Sequence, residues 1–253
     1  MDESVYGWWL PPDVSTHGHQ IDHLINVLHW FMLALFLGWG AFYAYCIIRF
    51  RASKGIKAVY EPIKASASKY LEIGVALFEV FLLVGLSMPV WAELRNPANA
   101  PSREEALQIR VTAEQFAWNI HYPGPDGVFG KTDIKMMSRS NPLGADFDDP
   151  AGKDDVRTVN QFHMPVGKPV FVELSSKDVI HSFFIPVLRV KQDAVPGQKI
   201  PMWFEADETG EFELACAQLC GIAHTRMGGR VYIETQEQFD AWIAEKVREA
   251  QEE

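Results

Sequence analysis

Two long apolar runs open the chain and short alternating runs fill the rest of it. From Leu24 to Ile48 there are 25 residues without a Lys, Arg, Asp or Glu. At about 1.5 Å of rise per helical residue this gives roughly 37 Å, enough to cross a hydrocarbon core of about 30 Å with some tilt. Tyr70 to Trp91 repeats the pattern, with Glu72 and Glu79 as its only charges. Together they predict a transmembrane helical hairpin over residues 24–92, preceded by a segment 1–23. A signal peptide would need a basic start and a shorter apolar core. Residues 1–23 instead carry Asp2, Glu3, Asp13 and Asp22 and no Lys or Arg. The connecting loop, about 49–69, holds Arg49, Arg51, Lys54, Lys57, Lys64 and Lys69 against Glu61. The positive-inside rule therefore puts the loop in the cytoplasm and both termini outside.

From residue 93 onward the period changes. The runs "LQIRVTAEQFAWNIHY" (107–122), "PVFVELSS" (169–176), "KIPMWFEA" (199–206), "EFELAC" (211–216) and "RVYIE" (230–234) alternate apolar and polar residues between Gly, Pro and Asp. Short strands of this kind predict a β-sandwich or barrel. Thr235 with Gln238 forms a capping box ahead of "FDAWIAEKVREAQ", which predicts a terminal amphipathic helix. The Gly- and Asp-rich stretch 126–155 fits no strand and reads as a surface insertion; its aspartates lack the alternate-position spacing of an EF-hand calcium loop.

Charge adds one constraint. The part from Glu93 to the end has 17 Lys and Arg against 26 Asp and Glu, and so carries −9 of the chain's formal −10. An acidic domain favours a basic protein partner over nucleic acid, although solubility alone also accounts for it.

The chemistry gathers in "CAQLCGIAHTRM", residues 216–227, which hold two of the chain's three cysteines together with His224 and Met227. In an oxidising compartment two nearby cysteines first suggest a disulfide. A disulfide has no use for the imidazole and thioether beside it, whereas thiolate, thioether and imidazole together are a soft donor set that selects copper. Zinc takes Cys and His but rarely Met. A blue-copper centre uses one Cys, two His and a weak Met, so this set has one thiolate too many. A second thiolate can bridge, and two bridging sulfurs hold two copper ions with one histidine each. The second histidine predicted from the sequence is His181, in "KDVIHSFFIPVLRVKQDAVPG". Cys46 reads as a packing residue of the first membrane helix. His23 and His29 read as interfacial, and His121 and His163 as surface residues flanking strands.

The C-x-x-x-C-G-x-x-H-x-x-M run, the "DVIHSFFIP" and "VKQDAVPG" segments and the preceding hairpin together resemble subunit II of the haem–copper cytochrome c oxidases. The resemblance implies a cupredoxin-like Greek-key β-barrel carrying a binuclear, mixed-valence copper centre, CuA. By matching positions it assigns Cys216 and Cys220 as bridging thiolates and His181 and His224 as imidazole ligands. The weak ligands are the Met227 sulfur and the Gln218 backbone carbonyl. The implied role lies in a proton-pumping oxidase in the bacterial inner membrane, with the copper domain on the periplasmic side. A c-type cytochrome supplies electrons, which pass to haem held by subunit I for reduction of oxygen to water. A lone chain is expected to have no oxidase activity and to carry no haem.

Three positions depart from the resembling pattern. Gln218 stands where many members have a glutamate that reaches a magnesium ion shared with subunit I, which puts that ion in doubt but not the copper. Phe116 stands where members commonly have the tryptophan that receives electrons, while Trp118 is kept. Alternation places Phe116 and Trp118 on one strand face, either a docking surface or a core-facing pair. Loss of the first tryptophan points to a membrane-held or tethered c-type haem as donor. Glu72 matches a position of proton uptake into subunit I, and Glu79 is an addition about two helical turns along the same face. Arg189, Lys191 and Asp193 match a segment near subunit I and its haem propionates. Two other readings are a membrane-anchored copper relay and a copper carrier outside an oxidase. A nitrous-oxide-reductase-type enzyme would need a large second domain, and a quinol-oxidase subunit II would lack the copper ligands.

Overall fold

The computed structural model describes residues 10–57, 60 and 66–252. The charged residues Asp2, Glu3, Glu61 and Lys64 lie outside the described part. The chain forms two compact units, one from the residues before Gln20 together with those from Pro97 onward, the other from Gln20–Asn96.

In the helical unit, α1 spans Gly18–Arg49. It starts six residues before the apolar run because Ser15 caps it: Ser15 Oγ accepts from the Gly18 N–H at 2.9 Å and itself donates to Asp13 Oδ1 at 2.8 Å. A side-chain acceptor at this place satisfies one of the orphaned N–H groups of a helix start. The second span runs over Ser66–Arg95 as α2 (Ser66–Val80), a π-helical segment (Phe81–Ser87) and α3 (Met88–Arg95). Pro89 explains the wider turns: it has no N–H to give and its ring crowds the carbonyl one turn back. The Met88 N–H reaches back to Leu83 O, and Ser87 Oγ donates to Leu82 O at 3.1 Å, so carbonyls released from the α pattern are still bonded. The two spans touch where the Phe31 and Phe78 rings meet at 4.8 Å. Both are long and apolar enough to cross a membrane.

Among the described residues, the other unit contains ten strands. They are β1 (Leu107–Glu114), β2 (Ala117–Tyr122), β3 (Val156–Val159), β4 (Gln161–Pro165), β5 (Val170–Ser176), β6 (His181–Ile185), β7 (Val190–Ala194), β8 (Ile200–Phe204), β9 (Gly210–Cys216) and β10 (Gly228–Glu234). One sheet has the order β3-β2-β1-β5-β8 and the other β4-β10-β9-β6-β7. The pairs β1/β5 and β4/β10 are parallel and the rest antiparallel. Trp118, Phe162, Phe183, Ile120, Leu174 and Met202 fill the space between the sheets with less than 2% of each exposed. The chain changes sheets at Asn160, which has a φ of 59°. Asn tolerates that left-handed conformation, and here its Oδ1 also accepts from the Trp118 N–H at 2.8 Å.

The run 107–122 is not one strand. It breaks at Gln115–Phe116 into the β1–β2 hairpin, registered by Glu114 opposite Ala117. Phe116 therefore sits half-buried in the turn, packed against the core in which Trp118 of β2 is fully buried, so Trp118 offers no exposed docking surface. The capping box forms: the Thr235 N–H donates to Gln238 Oε1 at 3.0 Å and the Gln238 N–H to Thr235 Oγ1 at 3.3 Å. It starts α4 (Gln236–Glu252), whose Trp242 packs edge-on against Tyr122 at 5.2 Å. Residues ahead of α1 belong to the barrel. Val14 is fully buried; its N–H donates to Val187 O and its carbonyl accepts from Asp207 N, both at 3.0 Å.

His121 and His163 are core residues, contrary to the surface reading. His121 Nε2 donates to Asp155 Oδ2 at 2.6 Å, and the same oxygen accepts the Gly130 N–H at 3.0 Å. This buried contact anchors the 126–155 segment, which lies between β2 and β3. His163 is stacked between Tyr232 (4.4 Å) and Trp242 (3.8 Å) and bonded to Glu234 at 3.0 Å. Burial lowers the pKa of both histidines below the usual range, outweighing Asp155 for one and Glu234 for the other. The unfolded chain binds protons at these sites as pH falls below about 6.5 and the folded chain resists them. Their contribution to stability is thus complete above that pH and is lost between it and the lower native values. The thermal midpoint of this unit should fall on acidification from pH 7 to 5, and less steeply in His163→Gln; a midpoint rising toward acid contradicts the assignment.

Candidate metal centre

Two neighbouring strands and one loop bring the donors together. Strand β9 ends at Cys216 and β10 begins at Gly228, so the intervening residues, with Cys220, His224 and Met227, form one connection. The connection is folded on itself: Cys216 N–H donates to Met227 O and Met227 N–H to Ala223 O, both at 3.1 Å. Beside β9, Phe183 of β6 pairs with Cys216, and His181 is the first residue of β6.

Cys216 Sγ lies 3.9 Å from Cys220 Sγ and 3.2 Å from Gln218 O. Cys220 Sγ lies 3.7 Å from both His224 Nδ1 and Met227 Sδ. The donor atoms of His181, Cys216 and Cys220 all fall within 4.8 Å of one another. The structure thus assembles His181, Cys216, Gln218 O, Cys220, His224 and Met227. A disulfide needs sulfurs about 2.05 Å apart; both cysteines are free thiols.

The electrostatics of the set favour a soft cation. Burial and then the Cys216 thiol push the Cys220 thiol up to about 11, a cost that a bound metal removes because it stabilises the thiolate directly. His181 Nε2 donates to Asp178 Oδ1 at 2.9 Å. A carboxylate acceptor there selects the tautomer with hydrogen on Nε2 and leaves Nδ1 as a lone pair. That Nδ1 is buried without a hydrogen-bond partner, an unusual state for an interior nitrogen that metal ligation would resolve. Burial would raise the Asp178 carboxyl. The hydrogen bonds from His181 and from the Gln115 and Val179 N–H groups outweigh it and hold the pKa below the usual range. The sulfurs are less than two ordinary metal–thiolate bonds of about 2.3 Å apart, so one ion reaches both. Thiolates with imidazole and thioether match copper. The residues fit the metal.

Asp178 and Gln115 were missed by sequence reasoning. Asp178 stands three residues before His181, a spacing that could have flagged it. Gln115 comes from a turn about a hundred positions away and carries no local signal. The other predicted residues supply no donor atom to the set. Phe116 lies against the metal loop, its ring 3.0 Å from where a Cβ on Gly221 would be. Trp118 meets the His181 ring at 6.2 Å from within the core. Glu72 and Glu79 are exposed on α2. Lys191 and Asp193 are exposed on β7, whereas the Arg189 guanidinium donates to Pro11 O and Pro186 O at 2.7 Å each.

Gly221 is the only residue type that fits its position. Its φ is 146°, and an added Cβ would approach Gln115 Nε2 to 2.7 Å. Gly221→Ala should cost about 1–3 kcal/mol of local strain and weaken copper affinity about tenfold or more, read by competition against a copper chelator; unchanged affinity would show that the loop tolerates the shift.

A two-sheet cupredoxin-type barrel with a buried sulfur–imidazole donor set, joined to two candidate membrane-spanning helices, defines a copper-binding domain of the respiratory-oxidase type. Residues 107–234 match the family described as cytochrome C oxidase subunit II, periplasmic domain. The chain is 35% identical over 240 residues to an alternative cytochrome c oxidase subunit 2 of Bradyrhizobium diazoefficiens, covering 94% of this chain and 84% of that one. It is 30% identical over 242 residues to a cytochrome c oxidase subunit 2 of Cereibacter sphaeroides, covering 91% and 76%. Among solved structures, the periplasmic domain of subunit II of cytochrome oxidase (CoxB) of Bradyrhizobium japonicum aligns with a TM-score of 0.44. That match has 29% identity and covers 59% of this chain and 98% of that one. The chain belongs to the cytochrome c oxidase subunit II family.

Proposed function

We propose that this chain is the electron-accepting subunit of its oxidase, holding a binuclear copper centre, CuA, between a c-type cytochrome and the haem of subunit I. The observation that carries the reading is the pair of thiols 3.9 Å apart with Cys220 in reach of both His224 and Met227. Copper bound there would supply one-electron redox chemistry. The chain does the rest. Cys216, Cys220, His181 and His224 would hold the metal, with the Met227 sulfur and the Gln218 carbonyl as weaker donors. Asp178 holds the His181 tautomer, and Trp118 and Phe183 keep water from that side. Donors fixed in advance by strands and packing need little rearrangement when charge changes. A copper carrier would need exposed, exchangeable donors, and His181, Cys220 and Met227 are buried.

The domain's acidic composition suits a basic cytochrome face, and Phe116 in the β1–β2 turn lies against Gly221 of the metal loop. A membrane-held or tethered c-type haem is the proposed donor. Lys191, Asp193 and Arg189 are proposed contacts with subunit I. Gln218 offers an amide where a magnesium ion would favour a carboxylate. The proposed setting is the bacterial inner membrane, with the barrel on the periplasmic face. Rapid mixing of the purified oxidase with reduced c-type cytochrome, without oxygen, tests the reading. Bleaching of near-infrared copper absorbance before haem reduction is expected; haem reduction with no copper phase contradicts it.

Glu72 and Glu79 are proposed to serve proton uptake by the oxidase. Glu72→Gln should slow reduction of the oxygen-binding site several-fold with the copper spectrum intact. Unchanged kinetics would remove the role.

A further inference from the structure

We propose that Gln115 is a positioning residue of the metal centre, a single side chain and peptide that lock its two separately delivered halves into one frame. The inference rests on the copper reading of the site. His181 arrives on β6 and Cys220 on the β9–β10 loop, and Gln115 belongs to neither; it sits in the β1–β2 turn. Its backbone N–H donates to Asp178 Oδ2 at 2.7 Å, and the other oxygen of that carboxylate accepts His181 Nε2 at 2.9 Å. Its side-chain Nε2 donates to Cys220 O at 2.5 Å.

The first contact fixes the carboxylate that orients the imidazole. The second fixes the peptide plane following Cys220, and through the Cα the direction in which the thiol points. Gly221 makes the second possible, because a side chain there would collide with the Gln115 amide and the Phe116 ring. The turn that packs Phe116 against Gly221 is therefore the same turn that clamps the donors. Groups that orient metal ligands in this way change affinity and activity about 10–100-fold when removed.

Gln115→Met keeps length, packing and the backbone N–H to Asp178 but has no side-chain donor for the Cys220 carbonyl. In the purified full chain loaded with copper, this variant should keep wild-type secondary structure and copper content. Its electron paramagnetic resonance hyperfine pattern and reduction potential should shift, and its rate of reduction by a c-type cytochrome should fall about tenfold. A second measurement needs no metal: in the apo chain, alkylation of Cys220 relative to Cys216 should speed up about tenfold, read by mass spectrometry. Should the Met variant misfold, Gln115→Asn, whose amide is too short to reach the carbonyl, takes its place in both measurements. A variant with wild-type spectrum, potential and alkylation ratio overturns the role of Gln115, even if its melting temperature is lower. A wild-type chain without two coppers sharing one unpaired electron overturns the copper reading itself, so the two failures are distinct.

Discussion

Cys220→Ser is expected to abolish the shared-copper centre while leaving the barrel folded. Cys220 is the hub of the donor set, with its sulfur 3.9 Å from Cys216 and 3.7 Å from both His224 and Met227. A serine hydroxyl is hard, protonated at neutral pH and a poor bridge between soft metals. Copper per chain should fall from two to at most one. Turnover of the assembled oxidase should fall at least about 10²-fold, beyond what loss of an outer-sphere partner alone costs. Copper analysis with near-infrared absorbance reads the first effect and oxygen consumption the second. A serine variant that keeps both coppers and the near-infrared band would remove Cys220 from the bridge.

The largest effect on stability is expected at Asp155. Its carboxylate accepts from His121 Nε2 and from the Gly130 N–H in the interior, and Arg157 approaches it at 3.7 Å. Asp155→Ala leaves two buried donors without a partner at the base of the 126–155 segment. Each unsatisfied donor costs about 1–3 kcal/mol, so a loss of about 3 kcal/mol is expected. A lower denaturation midpoint and faster proteolysis within 126–155 would show it. A midpoint unchanged within error would mean that water replaces the carboxylate at no cost.

How much of this was legible beforehand depends on how far the partners lie apart along the chain. Cys216, Cys220, His224 and Met227 could be read because one short connection carries them all, and soft-donor chemistry names the metal without coordinates. His181 could be read as the missing imidazole, but the carboxylate that orients it, Asp178, was not singled out. The hairpin at Gln115–Phe116 was hidden because apolar and polar residues keep alternating straight through it, so period alone sees one strand where there are two. Strands such as β3 and β7 are too short and polar to stand out; they exist because neighbours supply the hydrogen bonds. His121 and His163 looked like surface residues for want of visible partners, Asp155 being 34 positions from the first and Glu234 71 from the second. Gln115 was invisible for the same reason, with its contact to Cys220 spanning 105 positions. The two long apolar helices were plain from composition, and only the cap at Ser15 and the π-helical turns before Pro89 needed the backbone.

The proposed centre holds two copper ions in one electronic unit. A metal count on the purified full chain, combined with electron paramagnetic resonance and visible to near-infrared spectra, tests it most directly. Two coppers per chain sharing one unpaired electron, with hyperfine splitting from both nuclei, is the predicted result. A single copper with a blue-copper or ordinary cupric signal, or a disulfide between Cys216 and Cys220 that reductant and copper do not convert, would contradict it.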